Sequence, residues 1–166
     1  LTSAGEKDIF LASYQSNGTL NWAKRMGGTS ADVGKAVSVD GSGNIYVIGH
    51  VQSVSVFDGL TFTPFGGMDV FVAKFNSAGS IQWVTSAGTS SDEDGNDIAV
   101  SSTGDVYVTG KFAGVLSFSQ SSTTLTSAGS DDIFIVKYNS TGSLQYAKRF
   151  GGTGSDAGVS VAVDAS

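Results

Sequence analysis

An all-β fold built from repeated antiparallel sheets is what this sequence of 166 residues predicts. The first observation is self-similarity: the stretch from Asp132 to Gly152 is echoed from Asp8 to Gly28 and from Asp69 to Gly88. Asp8, Asp69 and Asp132 stand 61 and 63 residues apart, and Trp22, Trp83 and Tyr146 keep the same two intervals. A period of this length marks architectures in which one supersecondary unit buries its apolar surface by stacking on copies of itself. The second is composition, with 23 Gly, 1 Pro and only 14% charged residues, which suits short strands joined by tight turns. The third is the lack of any long window with apolar spacing of three and four, so no helix is assigned.

Each copy reads in the same order. Asp8–Tyr14, Asp69–Phe75 and Asp132–Tyr138 are strands with nearly unbroken apolar runs, which need cover on both faces. Glycine turns follow at Ser16-Asn17-Gly18, Ser77-Ala78-Gly79 and Ser140-Thr141-Gly142, the signature of hairpins. The return strands, Leu20–Met26, Ile81–Thr85 and Leu144–Phe150, alternate at first, as an outer, half-exposed strand does. An Asp-containing loop then leads to small-residue inner strands at Lys35–Asp40, Asp97–Ser101 and Val159–Asp164. A second glycine turn leads to Ile45–Gly49 and Val106–Gly110, making four strands per period. Variable excursions close two copies, His50–Met68 and Lys111–Asp131; Phe57 and Phe118 keep register and are expected to tuck them onto the blade.

Four short strands per unit, a small inner strand, an amphipathic outer strand and sheets covered on both faces describe the blade of a β-propeller, with a duplicated β-sandwich as the alternative. The blade boundaries expected are an outer strand pair in 1–32, a second blade in 33–94, a third in 95–157 and a lone inner strand in 158–166, all one propeller segment of nearly three repeats. The expectation is a segment of a longer protein, or copies that associate to complete a ring.

Six linked motifs, among them Ser42-Gly-Asn-Ile-Tyr-Val47, Phe112–Phe118, Leu125–Gly129, Asp132–Lys137 and Tyr146–Gly152, resemble the bacterial β-propeller repeat called the SBBP repeat, over essentially the whole chain. The resemblance implies a propeller within a large secreted or cell-surface bacterial protein, and it implies no catalytic residues.

Candidate chemistry is sparse. With no Cys, thiol catalysis, disulfides and cysteine metal sites are excluded. The net charge of -6 and 9 scattered Lys and Arg argue against nucleic acid, and no apolar run of membrane-spanning length occurs. Asp92, Asp94 and Asp97 form the densest acidic patch and are the candidate ligands for calcium, although their spacing is not that of an EF-hand. Solvated turn acids are the alternative. His50, the only histidine, has no nucleophile motif to serve, so no catalytic residue and no enzyme is expected. The Lys24-Arg25 and Lys148-Arg149 pairs read as solvated edge charges, and Trp22, Trp83 and Tyr146 as buried packing between blades or, alternatively, a sugar platform. The function expected is therefore a non-catalytic extracellular scaffold or adhesion module, with a carbohydrate-binding propeller as the alternative and the excursions as the specificity surface.

Overall fold

The computed structural model describes residues 1–164. The first copy contributes β1 (Ile9–Tyr14) and β2 (Leu20–Gly27). The second contributes β3 (Val33–Val39), β4 (Ile45–Val51), β5 (Ser55–Phe57), β6 (Leu60–Phe62), β7 (Asp69–Phe75) and β8 (Ile81–Gly88). The third contributes β9 (Asp94–Val100), β10 (Val106–Phe112), β11 (Val115–Phe118), β12 (Thr124–Thr126), β13 (Asp132–Tyr138) and β14 (Leu144–Phe150). The fold is all-β, without a helix among the described residues, and its strands pair antiparallel in β-propeller blades.

Three sheets result, in the orders β1-β2-β5-β6, β12-β11-β8-β7-β4-β3 and β14-β13-β10-β9. Set aside the short hairpins, and the second and third sheets are four-stranded meanders, inner strand to outer strand, as the sequence pattern requires. The glycine turns place the register: the hairpins β1–β2, β7–β8 and β13–β14 each carry a one-residue irregularity next to the turn, between Ser13 and Tyr14, Lys74 and Phe75, and Lys137 and Tyr138.

The excursions are the main departure from expectation. They are not loops folded back on their own blade; each forms a short hairpin that pairs with the outer strand of the preceding copy. β5 pairs with β2 through Met26↔Phe57 and Gly27↔Val56, and β11 pairs with β8 through Ser117↔Gly88 and Phe118↔Ala87. The anchors are Phe57 and Phe118, both buried, and burying each such ring stabilises the attachment by about 1.5–3 kcal/mol. Asp58 and Gly59 both have positive φ, the backbone that a two-residue hairpin turn demands. An outer strand expected at an edge is thereby covered by its neighbour's hairpin.

The core lies between sheets. Val47, Phe71, Ala73 and Phe75 point from β4 and β7 toward the first sheet, where they meet Ile9, Met26 and Phe57. Their alternates Tyr46, Ile48, Val70 and Val72 point the other way and meet Ile98, Val108, Phe134 and Val136 of the third sheet. The middle sheet is thus covered on both faces, and β4 and β7 are buried almost throughout. β13, with the same apolar sequence, is buried at alternate residues only, and Phe10 of β1 is 72% exposed. The inner strands carry small residues because β9 packs across β3 and β4, and a side chain on Gly95 would run into Ile48 and Val70.

The inner strand expected at Val159–Asp164 does not form. Residues 157–164 run as irregular chain, tied to the third sheet by Gly158 N–H donating to Gly110 O at 3.2 Å and Val161 N–H donating to Asp97 at 2.9 Å. β3 and β9 are strands because β4 and β10 pair with them, and nothing among the described residues takes that place beside Val159. Residues 165–166, the end of the expected element, lie outside the described residues.

Candidate functional site

Two repeated arrangements occupy the joints between copies. In the first, an aromatic ring of one outer strand lies over the glycine turn of the next copy. Trp22 Nε1 donates to Ser77 O at 3.2 Å, and Trp83 Nε1 donates to Ser140 O at 3.1 Å. Gly79 and Gly142, under those rings, have φ of 79° and 82°, and a Cβ on either would stand 2.7 or 2.8 Å from the indole. Glycine is therefore required twice over, by backbone and by space. Lys74 Nζ joins Trp83 on Ser140 O at 3.3 Å. Both tryptophans are half-buried rather than buried, and Tyr146, their counterpart, is 41% exposed. The rings thus pack between sheets, as expected, but at the surface of the joint and not in the core.

The second arrangement was missed in the sequence. Each copy holds two acids 24 residues apart, Asp8 with Asp32, Asp69 with Glu93 and Asp132 with Asp156, which converge on the glycine ending the outer strand. A Cβ on Gly27 would collide with Asp8 and lie 2.8 Å from Asp32 Oδ2; on Gly151 it would collide with Asp132 and lie 2.8 Å from Asp156 Oδ2. Backbone amides hold both members. Ala4 N–H donates to Asp8 at 2.5 Å, Phe65 N–H to Asp69 at 2.5 Å, and Ala128 N–H to Asp132; Gly28 N–H donates to Asp32 at 2.7 Å, Thr89 N–H to Glu93 at 2.8 Å and Gly152 N–H to Asp156 at 2.9 Å. The same atom, Oδ1 of the first aspartate, is buried without a hydrogen-bond partner in all three copies. Burying carboxylates costs several kcal/mol unless charge or hydrogen bonds offset it, so each pair needs a counter-charge or a proton.

The copies meet that need differently. Arg25 stands 3.5 Å from Asp8 and Arg149 3.3 Å from Asp132, whereas the matching position beside Asp69 is Ser86. Burial pushes Asp8 up, but bonds from Ser3 and Ala4 and the Arg25 guanidinium outweigh it and hold the carboxyl below its ordinary value. In the second copy burial dominates: Asp69 is raised, and burial together with the Asp69 carboxylate pushes Glu93 up to about 7. Burial and the neighbouring Asp69 carboxylate together favour the protonated form of Glu93, so this pair carries a proton near neutral pH.

The residues singled out from the sequence fall in separate places. Asp92 accepts from Met68 N–H at 2.9 Å; Asp94 takes His50 Nδ1 at 2.6 Å and Lys35 at 3.4 Å; Asp97 accepts from Ser160 at 2.6 Å and Val161 at 2.9 Å. The three acids are not brought together, and among the described residues no cluster of three or more His, Asp or Glu has the geometry to hold a metal ion. His50 is buried and ties β4 to β9 through Asp94. Lys24 bonds Asp58 at 2.8 Å on the neighbouring hairpin, and the arginines serve the buried acids, so the two basic pairs are not merely solvated edge charges. The signal that could have exposed the acid pairs is the constant spacing of 24, since Asp32, Glu93 and Asp156 were each visible in the loop after the glycines.

Residues 21–50 and 82–111 match the family model described as SBBP, beta-propeller repeat. Each match starts on an outer strand, β2 or β8, and ends on the second strand of the next sheet, β4 or β10, so the sequence repeat straddles two blades. Among curated proteins, the chain is 23% identical over 172 residues to an uncharacterized WD repeat-containing protein of Acanthamoeba polyphaga mimivirus, covering 93% of this chain and 12% of that one. It is 28% identical over 116 residues to the regulatory protein FlaEY of Caulobacter vibrioides, covering 64% of this chain and 12% of that one. The chain thus spans about an eighth of the length of these relatives, 12% in both cases.

Proposed function

The chain carries SBBP-type β-propeller repeats, and from that premise we propose that it is a non-catalytic interaction scaffold, a segment of a larger bacterial secreted or cell-surface protein that makes protein–protein or structural contacts. The observation that carries the reading is the exchange of strands between copies: the excursions, the part of the repeat free to vary, are spent on joining units, β5–β6 on β2 and β11–β12 on β8. A fold that invests its variable segments in joints is organised to build an extended surface. The partners are strands of further repeats in the same polypeptide or of further copies, a reading supported by β1, which among the described residues pairs with β2 alone while its counterparts β7 and β13 pair on both sides. Such an open edge adds strands readily. The place of action is the extracellular space or cell surface. His50 is engaged by Asp94, an arrangement that supports a structural role. The similarity to a WD repeat-containing protein supports the same class, since WD repeats build propellers.

A glycan array probed with the chain separates this reading from a carbohydrate-binding propeller. The scaffold reading expects no glycan bound, because Trp22 and Trp83 already cover glycine turns. Glycan binding that Trp83→Ala abolishes without lowering the melting temperature would instead establish the lectin.

A further inference from the structure

We propose that the buried acids Asp69 and Glu93 form a pH-sensitive latch that clasps the return leg of the β5–β6 hairpin to the crossover between the second and third sheets. The latch is held most firmly in acid, and the population of a locally open state grows as the pH rises toward neutrality. Two short segments build it: residues 65–68 lead from the hairpin into β7, and residues 89–93 lead from β8 to β9. Each segment is tied to one acid. Phe65 and Gly66 N–H donate to Asp69 Oδ2 at 2.5 and 3.1 Å, while Thr89 donates to Glu93 from its N–H at 2.8 Å and from Oγ1 at 2.6 Å. The segments are also tied to each other, Glu93 N–H donating to Met68 O at 2.7 Å and Met68 N–H to Asp92 Oδ1 at 2.9 Å. A Cβ on Gly66 would stand 2.3 Å from Thr89 O, so the two backbones touch.

Charge makes the clasp conditional. Both acids are buried, Asp69 Oδ1 has no hydrogen-bond partner, and among the described residues neither acid forms an ion pair. The elements around them supply no cation. β4 sets Val51 opposite Asp69, and β8 carries Ser86 where the other copies have arginine. On the crossover Asp92 is exposed, and Asp94 of β9 is engaged by His50 of β4 and Lys35 of β3. The charge that acts on Glu93 is therefore another carboxylate. Two ionised acids there are stabilised by any motion that lets water in. The cover over them is thin: Phe65, Gly66, Ser90, Ser91 and Asp92 are exposed, whereas β7 and β8 are paired along their whole length. The clasp thus yields before the sheet does. Because Glu93 is raised from 4.5 to about 7 in the closed form, opening grows from about pH 4.5 and levels off above 7.

The test is native-state hydrogen exchange of the chain, read at single amides, corrected for the intrinsic rate, and followed from pH 5 to 8 with and without dilute urea. The Phe65, Thr89 and Glu93 amides are expected to lose protection about fiftyfold over that range, independently of urea, as local opening requires. Amides in the β7–β8 pairing should stay better protected and exchange faster in urea, the mark of global unfolding. Glu93→Gln is expected to abolish the pH response of the clasp amides, and Ser86→Arg to reduce it to a few-fold. Protection that does not change with pH, clasp amides that follow β7 and β8 in their urea dependence, or a pH response undiminished in both variants would each overturn the proposal. The exchange pattern does not depend on what the chain binds, so the latch and the scaffold reading stand or fall separately.

Discussion

The first and third copies set an arginine against their buried aspartate; the second sets Ser86 there, replaces the partner aspartate with Glu93, and buries the pair more deeply. The residues concerned occupy matching positions at the end of matching strands, in register with Phe10, Phe71 and Phe134. The difference shows that the three copies share a requirement, that the carboxyl buried beside the strand-end glycine be offset, and meet it by different means. In the first and third copies an arginine about one-third exposed reaches the acid from the surface. The second copy is sandwiched between two sheets, and there Asp69 and Glu93 are 0% and 1% exposed and a proton takes the arginine's place.

The largest expected effect comes from the glycine at the centre of the pair. Gly88→Ala places a methyl group against the Asp69 carboxylate, whose neighbours are backbone amides that cannot retreat. A loss of more than about 3 kcal/mol is expected in urea denaturation, as for overpacking at a rigid buried site. A loss below 1 kcal/mol would mean that the pair is mobile and that its burial decides nothing.

Next is the pH dependence, where the copies should act in opposite directions. Glu93 is raised in the folded chain, from an ordinary value of 4.5 to about 7. Its contribution to stability is therefore complete below about pH 4.5 and is lost as pH rises through 7, an amount of about 3 kcal/mol. Asp8, held below the ordinary value, contributes above that value and loses its contribution as pH falls through its folded pKa. Glu93→Gln should remove the decline between pH 5 and 8, and Ser86→Arg should weaken it by supplying the charge used in the other copies. A decline of the same size in Glu93→Gln would place its origin elsewhere.

A smaller contrast concerns the rings. Trp83→Ala is expected to cost about 2 kcal/mol, since a half-buried indole and one hydrogen bond are lost, while Tyr146→Ala should leave the monomer within about 0.5 kcal/mol of the wild type. Equal costs would mean that Tyr146 already packs within its own chain. Smallest of all is the effect of calcium. Asp92, Asp94 and Asp97 each have their own protein partners, so melting curves in calcium and in chelator should coincide.

Period, glycine turns and the alternation of small and large apolar residues sufficed to read the strands and their order. The exchange of hairpins was not legible, because Phe57 and Phe118 reveal that the excursions are anchored but not to which copy; pairing between neighbours is a tertiary choice. The strand expected at Val159–Asp164 failed for a related reason, since its sequence fits an inner strand but a strand needs a partner. The acids near Asp92 attracted notice by density, while the acids that matter to the joint are distributed one per element and become a pair only when the glycine strand end brings them together.

The most direct measurement is the titration of the Glu93 side-chain carboxyl by carbon NMR in the intact chain. A midpoint near 7, falling toward the ordinary carboxylate range in Ser86→Arg, is the expected result and would show that a proton does in the second copy what arginine does in the other two. A midpoint near 4.5 in the wild type would show that the pair is neutralised by neither, and the comparison between the copies would fail.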